Sequence, residues 1–341
     1  MNPLKILPIF FLSTQLIAQA QNQFGGLKTS GNTYTQISPK SDNPIAGNLA
    51  QLVQSSASSG TGANFIDAVK GQATNALSLQ GQTFLNNLFS TQSGTTEIGA
   101  TTIQNGLPIY NILLVRPIWE SPDKIKTTFT QLSVFTQNNR TTGNFGLGYR
   151  QLFSEKILVG ANAFYDYEYP YGNQRTSIGG EIRSSVGELN INYYIGASGW
   201  VNTENGMQEK SLGGYNAELA VPLPYMPATK LRASTFNWTG VSGISNTSGT
   251  QYSISGPIWH GLNLDVGRVN YNNGAMQNSN YLKLVWIFNG DRKYHKNLFN
   301  FNGQPYLLES MEARRYEKVS RQNLIIKAQR NGSFAIGVTG F

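Results

Sequence analysis

The sequence predicts an all-β fold, a twelve-stranded antiparallel transmembrane barrel, on three observations. From about Thr95 the apolar period is two and stays so to residue 289. Most candidate strands are 9–13 residues long. Strands of soluble proteins usually run about 5–6 residues, whereas crossing a bilayer takes about 9–11. The connectors alternate between short and long, as they do in bacterial barrels, where inner turns are short and outer loops long.

In chain order, "MNPLKILPIFFLSTQLIAQA" reads as a secretory signal over 1–20. Lys5 supplies the positive start, Ile6 to Ile17 the apolar run, and Ala18-Gln19-Ala20 the small-residue cleavage site. The run is too short for a membrane anchor. Residues 21–61 are polar and Gly-rich, a flexible periplasmic segment. Over 62–94, Phe65, Val69, Ala73, Ala76, Leu77, Phe84, Leu85 and Leu88 fall near helical spacing, so an amphipathic helical segment is expected.

The barrel occupies 95–290, with strands expected at 95–103, 109–117, 126–138, 144–153, 157–168, 174–185, 188–200, 213–223, 230–239, 249–257, 262–270 and 279–289. Alternation assigns their faces. Ile178, Gly180 and Ile182 oppose Arg175, Ser177, Glu181 and Arg183, while Leu189, Ile191, Tyr193 and Ile195 oppose Glu188, Asn190, Asn192 and Tyr194. In a water-filled barrel the polar set lines the lumen and the apolar set meets lipid. The strands at 126–138 and 230–239 alternate less cleanly. Short connectors "SEK" (154–156), "SVG" (185–187), "PYMPA" (224–228) and "WHG" (259–261) fall on one side, and the longer 201–212 and 240–248 on the other. Tyr149, Phe153, Tyr167, Tyr169, Trp200, Tyr225, Trp238, Trp259, Trp286 and Phe288 lie near strand ends, as interfacial girdles require.

Composition agrees with such a wall. Of 341 residues only 13% are charged and 39% hydrophobic, against about 25% charged in ordinary soluble domains. No cysteine is present, which removes disulfides and thiolate chemistry. Export argues against nucleic acid as the partner of the net charge of +8. No cofactor and no metal are expected. His260 and His295 are the two histidines and form no H-E-x-x-H motif. Ser121 to Lys124 fits S-x-x-K, but Ser41-Asp42-Asn43 precedes it and no K-T-G follows. Gly146 and Gly148 are too few for a nucleotide loop and suit a strand that bends or lets a chain pass.

Five stretches in series, "NFGLGYRQLF", "ILVGANAFYDYEY", "QRTSIGGEIRSS", "LNINYYIGASGW" and "GGYNAELAVPLPYMP", resemble the inverse-autotransporter β-domain of the intimin/invasin family. "MEARRYEKVSRQNLIIKAQR" looks like that family's post-barrel segment, with Arg314, Arg315, Arg321, Asn323 and Ile325 at the motif positions. The resemblance implies an outer-membrane barrel of type V secretion whose linker, here 291–330, threads back through the lumen. It departs from the family in two ways. No LysM-like module stands between signal and helices, and only the tail 331–341 follows the motif, so the family's adhesive activity is not carried over.

The expected role is therefore a non-enzymatic translocator and anchor; the alternatives are a stand-alone channel, or a structural membrane protein whose external loops bind a partner. The 28 residues from Gly303 to Arg330 suffice to cross about 30 Å of hydrocarbon. Asn331-Gly332 between two period-two runs signals a hairpin, with a terminal strand tucked in the barrel, or a disordered one, as the alternative. Lumen-facing candidates are Arg150, Asn162, Asp166, Glu168, Arg175, Glu181, Arg183, Glu188, Glu218 and Asp265, with Arg232 of similar parity. The turn at 170–173 is expected to set Glu168 beside Arg175. Linker residues Glu309, Glu312, Arg314, Arg315, Glu317 and Lys318 are expected to bind among them or to meet a solvated lumen. Expected partners are outer-membrane lipid and lipopolysaccharide, barrel-assembly and periplasmic chaperone machinery, and a separately encoded passenger or surface partner.

Overall fold

The structure is a computed structural model that describes residues 93–339, with breaks at 105, 138, 242, 260, 273–275, 289–301 and 332–333. The expected signal, periplasmic segment and helices lie outside the described residues, as does His260.

Twelve strands close into one antiparallel barrel. They are β1 (Thr95–Ile103), β2 (Ile109–Glu120), β3 (Lys126–Gln137), β4 (Arg140–Ser154), β5 (Ile157–Tyr169), β6 (Asn173–Ser184), β7 (Glu188–Gly196), β10 (Gly214–Leu223), β11 (Met226–Trp238), β12 (Thr247–Trp259), β13 (Leu262–Tyr271) and β14 (Ser279–Phe288). Each pairs with its neighbour in the chain, and β1 closes on β14 with Thr96 opposite Phe288 and Ile103 opposite Tyr281. A second, four-stranded sheet in the order β16-β15-β9-β8 joins β8 (Val201–Asn202) and β9 (Met207–Ser211) to β15 (Lys327–Asn331) and β16 (Phe334–Thr339). Its first two strands lie in the connector between β7 and β10. That end of the barrel is called here the sheet end, and the opposite one the turn end.

The sequence dictates both faces. Along β5, Leu158, Asn162, Phe164, Asp166 and Glu168 are buried inside, while Ala161, Ala163, Tyr165 and Tyr167 face out. Outward Ile178, Ile191, Tyr193 and Leu219 are each at least half exposed, an apolar belt that only lipid would cover. At the turn end, Pro117, Pro222 and Pro257 each mark a shift of register in β2, β10 and β12. A proline lacks the N–H that a central ladder needs, so it belongs where pairing is ending.

Some boundaries differ from expectation. β4 starts at Arg140 and β11 at Met226, four residues early in each case, so the "PYMPA" connector shrinks to residues 224–225. β7 stops at Gly196, which frees Trp200 for the β8 connector, where the Arg330 guanidinium stacks 4.0 Å from its ring. The connector expected as a plain loop at 201–212 contains β8 and β9, because its backbone finds partners in β15, far along the chain. Trp238 is not a girdle residue. It shares parity with Phe236 and Arg232, points inward and is 1% exposed against Tyr194.

Candidate functional site

The lumen is occupied by the chain's own C-terminal segment. Met311 donates its N–H to Glu155 O at the turn end, and Leu212 N–H donates to Ile326 O at the sheet end. Between these points run a short 3-10 turn (Glu312–Tyr316) and then extended chain up to β15.

Near the turn end the first charged layer forms around Glu181. Arg150 Nε donates to it at 2.5 Å and Arg183 Nη2 at 2.7 Å, all three side chains being 3% exposed or less. Arg150 Nη1 also reaches the carbonyls of Arg315 and Glu317, each at 2.6 Å, and Arg183 reaches the Lys318 carbonyl at 2.6 Å and the Glu317 carboxylate at 2.9 Å. From the linker side, Arg314 bonds Glu188 and Glu317, and Arg315 bonds Glu120 at 2.9 Å and the Lys124 carbonyl at 2.7 Å. Lys230 joins Glu188 at 2.5 Å and Lys318 joins Glu97 at 2.5 Å.

Mid-lumen contacts are mostly to backbone. Val319 N–H donates to Gln131 Oε1 at 2.8 Å, and Asn192 donates to the Ser320 carbonyl at 2.9 Å. Gln322 N–H donates to the Tyr194 hydroxyl at 2.8 Å. Ser320 Oγ donates to Glu218, which also accepts from Arg232 at 2.9 Å.

The second charged layer centres on Asp166. Arg321 grips it with two bonds, at 2.9 and 2.7 Å, Arg175 adds one at 2.9 Å and Asn144 one at 2.7 Å. Such a two-point guanidinium–carboxylate pair fixes geometry as well as energy. All three charged side chains are fully buried. Arg175 then donates to the Gln322 carbonyl at 2.7 Å and Asn144 to the Asn323 carbonyl at 3.0 Å. Both layers rest on aromatic rings. Arg150 lies 4.2 Å from the Phe129 centroid and Arg321 4.2 Å from that of Phe164. Those rings lie over Gly148 and Gly146, where an added Cβ would sit 2.2 and 2.1 Å from a ring carbon. The two glycines thus make room for flat rings, and the rings for stacked guanidinium groups.

Apolar linker residues pack against the wall near the sheet end. Ile326 packs with Tyr194, Leu212, Phe236 and Trp238, Leu324 with Ile109 and Phe135, and Ile325 is wholly buried. At the rim, Lys327 bonds Glu168, and Arg140 bridges Glu168 and Glu209 at 2.7–2.8 Å. Burial pushes the Glu209 carboxyl up, but Arg140, Lys327 and Gln329 outweigh it and hold it below the usual carboxylate range.

Register corrects one expectation. The tight turn at 170–172, with Gly172 at φ +80° and its N–H bonded to Glu168 O, sets Glu168 opposite Asn173. Arg175 therefore falls opposite Asp166, and Glu168 goes to Lys327 and Arg140 instead. Asn162 faces the lumen over Gly179, yet its amide has no partner among the described residues. Asp265 faces the lumen on the far wall and accepts from the Tyr281 hydroxyl at 3.3 Å. Asn323 contributes its carbonyl and Ile325 its bulk. Sequence reasoning missed Glu120, Gln131, Asn144, Arg140, Glu209 and Lys327. Parity on β3 and β4 could have given Gln131 and Asn144; nothing local signals the contact between Glu209 and Arg140, which lie 69 residues apart.

A closed twelve-stranded barrel with an apolar exterior and a charged lumen threaded by its own C-terminal segment defines the class: an outer-membrane β-barrel. The inverse autotransporter β-domain model matches residues 45–323. The chain is 25% identical to intimin of Escherichia coli O127:H6 (strain E2348/69 / EPEC) over an alignment of 347 residues, covering 95% of this chain and 36% of intimin. It is 28% identical over 116 residues to the putative attaching and effacing protein homolog of Escherichia coli (strain K12), covering 33% of this chain and 39% of that protein. A solved chain from work on the mechanism behind the in-meso crystallization of membrane proteins superposes with a TM-score of 0.60 at 20% identity, over 70% of this chain and 99% of that one, which shows the fold. The chain belongs to the inverse-autotransporter family and corresponds to its β-domain, spanning little more than a third of the length of these two relatives.

Proposed function

We propose that this barrel is the translocator and anchor of an inverse autotransporter, and that it exports its own C-terminal segment through the lumen. The observation that carries the reading is the way the wall holds the linker. Arg150, Arg183, Asn192, Arg175 and Asn144 donate to linker carbonyls from residue 315 to residue 323. A wall that grips main chain fits an extended polypeptide in transit and fixes the register in which it stops. The Asp166–Arg321 pair then serves as the stop, since its two bonds form only at one depth.

Loop lengths support an orientation with the turn end in the periplasm and the sheet end outside. In that frame β15, with β16 on its outer edge, covers part of the pore mouth by pairing with β9 at the surface. Outer-membrane lipid and lipopolysaccharide, the barrel-assembly and chaperone machinery, and a passenger or surface partner beyond the linker are the partners of this reading. An epitope placed after Gly340 tests it. Antibody should label intact cells that carry the folded barrel; folded barrel with no labelling until the outer membrane is opened would sink the proposal.

A further inference from the structure

The linker does not fill the lumen. Between it and the wall made mainly by β1 and β10–β14 lies a cavity of about 770 Å³. Its lining begins at Gly106 and Gln277, in connectors at the sheet end, and ends at Ser185 and Pro227 at the turn end. The space therefore reaches both rims. Spread over a hydrocarbon thickness of about 30 Å it averages about 26 Å² in cross-section. That is room for a file of small hydrated ions and too little for a second polypeptide.

The charges along it are of two kinds. Lys230 with Glu188, Arg232 with Glu218, and Lys318 with Glu97 are ion pairs at 2.5–2.9 Å. Lys283 on β14 and Asp265 on β13 are direct neighbours across the ladder, but neither makes an ion pair among the described residues. Asp265 accepts only the long bond from Tyr281, and the Lys283 ammonium makes no hydrogen bond to a described residue. Both line the cavity. Inward charges set the ion preference of a barrel, and these two oppose each other across the ladder without the direct ion-pair contact that ties up the others.

We infer that this half of the lumen is a water-filled conduit for small inorganic ions, open while the linker is in place, with Lys283 and Asp265 setting its ion preference. The inference goes beyond linker export and does not depend on the direction of that export.

The test uses the full chain in planar bilayers under a potassium chloride gradient, with heat-modifiability on gels reporting folding. Small, discrete conductance steps are expected. Lys283→Glu should move the reversal potential towards cations and Asp265→Lys towards anions; Lys283→Gln and Asp265→Asn should move it the same ways by less. No steps from folded protein would overturn the inference, as would a reversal potential indifferent to every folded variant. A large conductance equal to that of a chain lacking 303–341 would also overturn it, because the linker would then be out of the lumen. Export of the epitope after Gly340 is read separately, so failure here leaves the translocator reading standing, and failure there leaves this one.

Discussion

The two halves of the barrel wall use the same chemistry in opposite surroundings. On β4–β6 the charges that hold the linker are dry: Arg150 and Glu181 are 0% and 1% exposed, and Arg150 also donates to the Arg315 carbonyl. On β10–β14 the corresponding pair, Arg232 and Glu218, is 24% and 15% exposed and borders open space. A buried ion pair is maintained at a large desolvation penalty, so removing one partner costs about 3–5 kcal/mol. A solvated pair contributes about 0–1 kcal/mol. The difference teaches that the linker's backbone carbonyls between residues 315 and 323 are held by one wall, while the other meets that stretch through side chains, Lys318 to Glu97 and Ser320 to Glu218. One half serves as a lock, and the other is left hydrated.

The sharpest way to break that comparison is at Asp166. Asp166→Ala leaves Arg175 and Arg321 buried side by side without their shared carboxylate. Denaturant unfolding of the refolded barrel should show a loss of about 3–5 kcal/mol. Asp265→Ala, on the hydrated wall, should lose less than about 1 kcal/mol by the same measurement. Equal losses would mean that the two walls are not different in kind. A double-mutant cycle between Asp166→Ala and Arg321→Ala should return a coupling of about 1–3 kcal/mol, which a purely indirect effect would not give.

Next in size are the glycines under the rings. Gly146→Val places a side chain where the Phe164 ring lies and should displace it, unseating Arg321 at a cost of about 1–3 kcal/mol. Gly180→Ala is the control, since its Cβ would meet nothing closer than the Gly160 carbonyl oxygen at 3.9 Å. Thermal unfolding of both variants, followed by heat-modifiability, separates a packing defect from a general intolerance of strand glycines.

What the sequence could show of this follows from what period two encodes. Alternation separates Asp166 and Glu168 from Tyr165 and Tyr167 without any structure, because a strand has only two faces. It does not say which rung faces which. That depends on the turn, so pairing Arg175 with Glu168 was off by one inward position. Alternation also contains the correct side for Trp238, but residue type near a strand end pulls the reading toward the interface, where aromatics are common. The rim was the least legible part. β9 is a short, polar strand with no apolar face of its own, and it pairs over its whole length with β15, more than a hundred residues later, and with the two-residue β8 on its other edge.

That rim supplies the smallest effect and a test in the other direction. Glu209 faces Arg140 on β4, Asn173 on β6, and Lys327 and Gln329 on β15, with Glu168 behind Arg140. Its carboxyl is held below its ordinary value, so the unfolded or undocked state binds the proton more tightly. The stabilisation is fully present above the free carboxyl value of about 4.3 and is lost as pH falls through the depressed folded value. Opening of the β9–β15 pairing should then grow by about tenfold for each unit of depression across that window. Hydrogen exchange at the amides of 327–331, compared at neutral pH and below 4, measures it. Glu209→Gln should remove the pH dependence while leaving the Asp166 layer protected at both pH values. If Glu209→Gln kept the full pH dependence, the rim's pH response would not come from Glu209.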